Sequence, residues 1–314
     1  MKKIDLLEEQ SKFLNKLDLD GKSFNTVKNY KTDLNCYNKY LLALGRDLHI
    51  NEMTPVEVKE YGLHLKNLYN SPNSIRRRIQ ALRIFFDYLL SINLVESNPL
   101  KQALVSPKRV DIPRPASFKA VIELYKLLEK QTKSEKTLER LTAFRNLVMV
   151  ELIFGGGLKV SDIAILDIKS ISQQSDGHFR VMIQHPKRDP YTIELDENFE
   201  KYYSQYKGYL EEQKNKDQID FTNFFFNANP YKILSGGLSP RGIEVLFKEF
   251  SNKLNTKITA KNLRQACVFK WIAAKRPDST IKEWLGVQPA YSLKPFHDLL
   301  KNEPDTHMFK EVLL

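Results

Sequence analysis

"TKITAKNLRQACVFKWIAA", residues 256–274, is the stretch on which the reading of this chain turns. Within it, Lys261-Asn262-Leu263-Arg264-Gln265 sets two cations three positions apart at the head of an apolar run. An arginine in such a place can hold an anion or close a structural ion pair. The segments around it decide between the two.

Composition narrows the class. The chain has 314 residues, 42% hydrophobic and 11% aromatic, enough for two ordinary domains with filled cores. No run approaches the length of a membrane span, and the start "MKKIDLLEEQSKF" has acidic residues where a signal peptide needs an apolar run. A soluble, cytoplasmic, nucleoid-associated protein with no membrane partner is expected. The two cysteines, Cys36 and Cys267, have no spaced partners for a metal or a disulfide scaffold, so neither metal nor cofactor is expected.

Charge is more telling. Lys+Arg number 49 against 38 Asp+Glu, a net +11. Residues 61–110 hold eight basic residues against two acidic ones, whereas the first 60 residues carry ten of each. A basic cluster beside a neutral segment reads as a phosphate-contacting face.

Residues 1–105 read as helices. Val27, Tyr30, Leu34, Tyr37 and Leu41 recur at helical spacing, and Thr54, Pro55 and Glu57 form a helix start. "SIRRRIQALRIFFDYLLSI" buries Ile75, Ile79, Leu82, Phe86 and Leu89 and turns Arg76, Gln80 and Arg83 outward. Arg76, Arg77 and Arg78 fall in the first turn of this predicted helix, where positive charge opposes the helix dipole and calls for an external anion. The proline-rich residues 106–118 read as a linker, and residues 119–314 as a second domain, mostly helical with a small antiparallel sheet. There, "HFRVMIQHPKRDPYTIEL" alternates apolar residues on both sides of a basic turn, a hairpin signal. Tyr202, Tyr203, Tyr206 and Tyr209 fit packing on one helix face, Ser239 and Pro240 open a helix, and Gly155–Gly157 read as a helix-ending turn.

This order of motifs resembles the tyrosine recombinases and integrases of the Xer and phage-integrase type over nearly the whole chain. "ESNPLKQALVSPK" resembles the exit of their core-binding domain, and "FGGGLKVSDI" their first active-site box. "HPKRDP" resembles the catalytic hairpin turn, "LSPRG" a helix start, Lys261–Gln265 the second box, and "LGVQPAYSLKPF" the segment that carries the nucleophile. The resemblance implies a mainly α chain with a small antiparallel β-sheet in a two-domain tyrosine-recombinase architecture. A helical core-binding, SAM-like DNA-binding domain (1–105) and a linker (106–118) would precede a catalytic-like α+β domain (119–314).

In that family a tyrosine oxygen attacks a DNA phosphodiester, two arginines clamp the charge that develops, and a lysine protonates the leaving oxygen. Carried over residue by residue, Arg264 matches the second arginine, and Lys187, with Arg188 as neighbour, matches the hairpin lysine. Lys261 replaces a histidine. Lys159 stands where the first arginine would be, and lysine offers a point charge in place of a planar fork. Val287 stands at the histidine position and Phe296 at the nucleophile. Phenylalanine keeps the ring and lacks the attacking atom.

The resemblance therefore implies a double-stranded DNA-binding protein with no intact catalytic set, in an architectural, regulatory or accessory role. Arg76, Arg77, Arg83, Lys159, Lys187, Arg188, Arg241, Lys261 and Arg264 would contact DNA. The implied protein partners are further copies on DNA, through the tail "DTHMFKEVLL", or a catalytically competent recombinase. The rival expectation is an active recombinase with Tyr291 as a displaced nucleophile, five residues before Phe296.

Overall fold

The computed structural model describes residues 4–50, 54–101, 112–184, 189–195, 197–228 and 234–302. The chain divides into two compact units, Met1–Asp111 and Ile112–Leu314.

The first unit consists of α1 (Leu6–Leu19), α2 (Phe24–Ala43), α3 (Pro55–Leu68) and α4 (Pro72–Ser91), followed by a 3-10 turn at Pro99–Lys101. Local signals start the helices. Asp5 Oδ1 accepts from Leu7 N at 2.7 Å and Glu8 N at 3.0 Å. Thr54 and Glu57 form the expected reciprocal cap, at 3.2 Å and 2.7 Å. Leu34, Tyr61, Leu65, Leu82, Phe85 and Leu89 close a core among them. Asn98 ties the exit turn down: its Nδ2 donates to the Arg83 carbonyl and to Asp87 Oδ1, both at 2.9 Å.

The charge expectation for α4 needs correction. Ser71 is the N-cap and Pro72 the first helical residue, so Arg76–Arg78 lie beyond the first turn, where the dipole has faded. An internal acid serves two of them. Asp33, 2% exposed, accepts from Arg77 Nη2 at 2.9 Å and lies 3.9 Å from Arg78 Nε. Arg78 itself is buried, with its guanidinium 3.7 Å from the Tyr69 ring centre. The cost that was to demand an outside anion is met largely within the unit.

The second unit is built on two helices buried on nearly every side, α6 (Thr137–Phe154) and α10 (Ala260–Ala273). Around them run α5 (Phe118–Gln131), α7 (Val160–Ala164), α8 (Glu197–Asp217), α9 (Pro240–Leu254), α11 (Asp278–Trp284) and α12 (Lys294–Asn302). The antiparallel sheet has the order β1 (Ile171–Gln173), β2 (Phe179–Ile183), β3 (Tyr191–Glu194). In β2, Phe179, Val181 and Ile183 face the core, and Ile183 pairs with Tyr191 at the end of the ladder. A second pair, β4 (Phe226–Ala228) and β5 (Leu234–Gly236), goes beyond the expected hairpin. Three-residue strands are too short to show a period.

Tyr202 and Tyr206 of α8 are buried, with hydroxyls donating to Glu129 Oε1 and to the Phe224 carbonyl, each at 2.7 Å. Arg145, 4% exposed in α6, makes its hydrogen bonds to Asn146 Oδ1 and to the Phe226 carbonyl. Burial pulls its pKa down to about 10. Residues 106–111 of the expected linker lie outside the described residues, and 112–117 precede α5 without regular secondary structure.

Candidate functional site

Thr259 caps α10, accepting from Asn262 N at 3.1 Å while Asn262 Oδ1 accepts from Thr259 N at 2.7 Å. That cap fixes the first turn, with Lys261 exposed and Arg264 partly covered. Arg264 is held by main chain. Nε donates to the Gly157 carbonyl at 2.5 Å and Nη2 to the Leu285 carbonyl at 3.0 Å. Gly157 has φ +66°, and a Cβ there would lie 2.5 Å from Trp271, so only glycine presents this carbonyl at this spot. Burial lowers the Arg264 pKa; Asp162, Cys267, Tyr191 and Tyr291, all near the guanidinium, act in the opposite direction.

Lys159 is the N-cap residue of α7. Its backbone N–H donates to Asp162 Oδ2 at 3.1 Å, and Asp162 is 2% exposed. The same oxygen accepts from Tyr191 Oη at 3.3 Å. Tyr191, the first residue of β3, lies against Gly286, where φ is +56° and a Cβ would come within 2.8–2.9 Å of the ring and hydroxyl. Sequence reasoning missed both Asp162 and Tyr191. Asp162 carried a signal, an acid three residues into "KVSD" at a helix start; Tyr191 carried none, because its partner is 29 residues away.

The last positions separate. Val287 packs against the core from the turn after α11. Phe296 is 6% exposed, with its ring 5.4 Å from that of Phe269 at 49°. Tyr291 is exposed, in a turn where its N–H donates to the Gln288 carbonyl at 2.8 Å. Next to Phe296, His297 Nε2 lies 2.9 Å from Asp278 Oδ1 and fastens α12 to the head of α11. Gln265 Oε1 accepts from Arg114 N at 3.0 Å and the Asn262 carbonyl from Ala116 N at 2.9 Å, so the chain preceding α5 is docked on α10.

Three comparisons with known proteins bear on the chain. The model of the phage integrase N-terminal SAM-like domain matches residues 11–92. Tyrosine recombinase XerC of Pediococcus pentosaceus is 23% identical over 270 residues, 84% of each chain. These matches support the tyrosine recombinase–integrase family as what the chain is similar to. XerC of Vibrio cholerae is 25% identical over 162 residues, 52% of this chain and 49% of that protein, so this chain spans about half the length of the first curated relatives it matches. Among solved structures, the Tn1549 transposon integrase in complex with transposon right end DNA superposes with a TM-score of 0.67 at 12% identity, covering 95% of this chain and 99% of that one. The fold is that of a two-domain tyrosine recombinase.

On this recombinase frame, the predicted site residues divide. The turns at Gly157–Lys159 and Leu285–Gly286 and the start of β3 at Tyr191 meet around Arg264. Phe296 belongs to the core instead. Lys187 and Arg188 lie outside the described residues, as does the tail "DTHMFKEVLL". Arg241, exposed in the first turn of α9, is paired with Glu244 at 3.1 Å. In the first unit Arg77 is committed to Asp33, whereas Arg76 and Arg83 each keep a buried Nε without a hydrogen-bond partner among the described residues. No group of three or more metal-ligating side chains occurs among the described residues, and no described helix is long and apolar enough to cross a membrane.

Proposed function

We propose that this recombinase-like chain binds double-stranded DNA and does not cleave it through position 296, serving an architectural, regulatory or accessory role in recombination. The observation that carries the reading is Phe296, a phenyl ring buried against Phe269. In-line displacement at phosphorus needs a nucleophilic atom, and this side chain has none. Lys159, a point charge in place of a forked clamp, and the apolar Val287 support the same reading. Residues 1–105 would act as the core-binding domain and 119–314 as the catalytic-like domain, joined by 106–118. Arg76, Arg83, Lys261 and the hairpin turn would supply phosphate contacts, which set register without reading sequence. The protein partners are further copies on DNA or a competent recombinase.

Two measurements test this. Retention on duplex DNA should fall steeply with added salt; salt-independent behaviour would leave only a helical protein-interaction module. A duplex nicked beside the cleavage position, which traps any covalent intermediate, should give no protein–DNA adduct.

A second reading rests on Tyr291, an exposed residue near enough to Arg264 to act on its charge. It predicts an adduct on the nicked duplex that Tyr291→Phe abolishes.

A further inference from the structure

The chain entering the second unit is held on α10 before α5 begins. Gln265 Oε1 accepts from Arg114 N at 3.0 Å, and the Asn262 carbonyl accepts from Ala116 N at 2.9 Å. Pro113 and Ala116 are buried, whereas Arg114 is exposed between them. Prolines at 113 and 115 restrict the backbone on both sides of Arg114, so its Cα has little freedom once the amide is bonded. The two acceptors sit in the first two turns of α10, the turns that also carry Lys261 and Arg264. Arg264 has given Nε and Nη2 to main-chain carbonyls. The Arg114 guanidinium, in contrast, makes no hydrogen bond or ion pair among the described residues, so its whole planar fork is available to an anion.

We propose that Arg114 is a phosphate-contacting residue of the duplex interface and that Gln265 is its positioning residue. Arg114 offers two oxygens of a backbone phosphodiester the forked contact for which Arg264 has fewer donors left. Gln265 acts through the main chain: by holding the Arg114 amide it fixes where the side chain starts, beside the head of α10. The inference rests on the duplex-binding reading above.

The test titrates full-length wild type, Arg114→Gln, Gln265→Met and the double variant with a duplex across a salt series. Arg114→Gln should bind about tenfold more weakly at low salt and lower the salt slope by about one, the signature of a lost phosphate contact. Arg114→Lys should keep the slope and recover part of the affinity, because a point charge then replaces the fork. Gln265→Met should weaken binding severalfold where Arg114 is present and have no effect in the Arg114→Gln background. An unchanged slope in Arg114→Gln overturns the contact, and equal losses from Gln265→Met in both backgrounds overturn the positioning role. Arg114→Gln trims an exposed side chain and keeps the bonded amide, so it should melt with wild type. Should Gln265→Met melt early, amide exchange in the wild type decides: an Arg114 N–H protected from solvent supports the anchor, and one exchanging as fast as free chain overturns it. If wild type is not retained on duplex at low salt, the duplex-binding reading itself fails; if it is retained with a salt dependence that Arg114→Gln shares in full, only the role of Arg114 fails.

Discussion

Arg264 and Tyr191 are anchored to the same two segments of chain. Arg264 bonds the carbonyls of Gly157 and Leu285; Tyr191 bonds Asp162, three residues beyond Lys159, and covers Gly286. The two side chains are parallel ties between the turn after α6 and the turn after α11. An arginine with Nε and Nη2 given to main-chain carbonyls has less of its fork left for a phosphate.

Replacing Arg264 should therefore destabilise the fold as well as weaken DNA binding. Arg264→Gln loses two charge-assisted hydrogen bonds and leaves two partly covered carbonyls behind, a cost of about 2–3 kcal/mol. Urea unfolding should give a lower midpoint with an unchanged slope.

Restoring an oxygen at position 296 should not restore cleavage. Phe296→Tyr puts a hydroxyl into a site that is 6% exposed beside Phe269, at a cost of about 1–3 kcal/mol if the hydroxyl finds no partner. Lys159 and Val287 remain as they are. The expected result on the nicked duplex is no adduct and a reduced melting temperature; an adduct would show the remaining site to be competent.

Arg145 should leave a signature at high pH. Its folded pKa is about 10, below the ordinary arginine value, because burial penalises the charged form. Between those values the unfolded chain binds more protons than the folded one, so this group's contribution to stability rises with pH through that window. Arg145→Met removes the contribution. The wild-type denaturation midpoint should gain on the variant's between pH 9 and pH 11, a difference that titrating tyrosines and lysines common to both proteins leave largely untouched.

The arginines of α4 should fall into two kinds. Arg76→Ala and Arg83→Ala should each lower the salt slope of DNA binding by about one while barely changing stability. Asp33→Ala leaves the buried Arg78 without its acid and should cost about 3 kcal/mol or more in denaturant unfolding. A salt slope unchanged in both arginine variants would remove this face from the DNA interface.

What was legible in the sequence was local. The Thr54–Glu57 cap, the Ser239-Pro240 helix start, the alternation in β2 and the glycine turn after α6 are each written within a few residues, and each forms. What was not legible depends on partners far along the chain. That Arg77 is paired with Asp33, 44 residues earlier, had no local signal. That Arg264 also bonds the Gly157 carbonyl, 107 residues away, had no local signal. Helical spacing also put Arg76–Arg78 one turn too early, because Pro72 extends α4 toward its N-terminus.

The burial of Phe296 bears on how this position can change over generations. A ring wedged beside Phe269 is kept by selection for folding alone, whether or not any reaction depends on it. Drift there is confined to apolar replacements of similar bulk. For a lineage that carries such a ring, a step to a hydroxyl is uphill from the start.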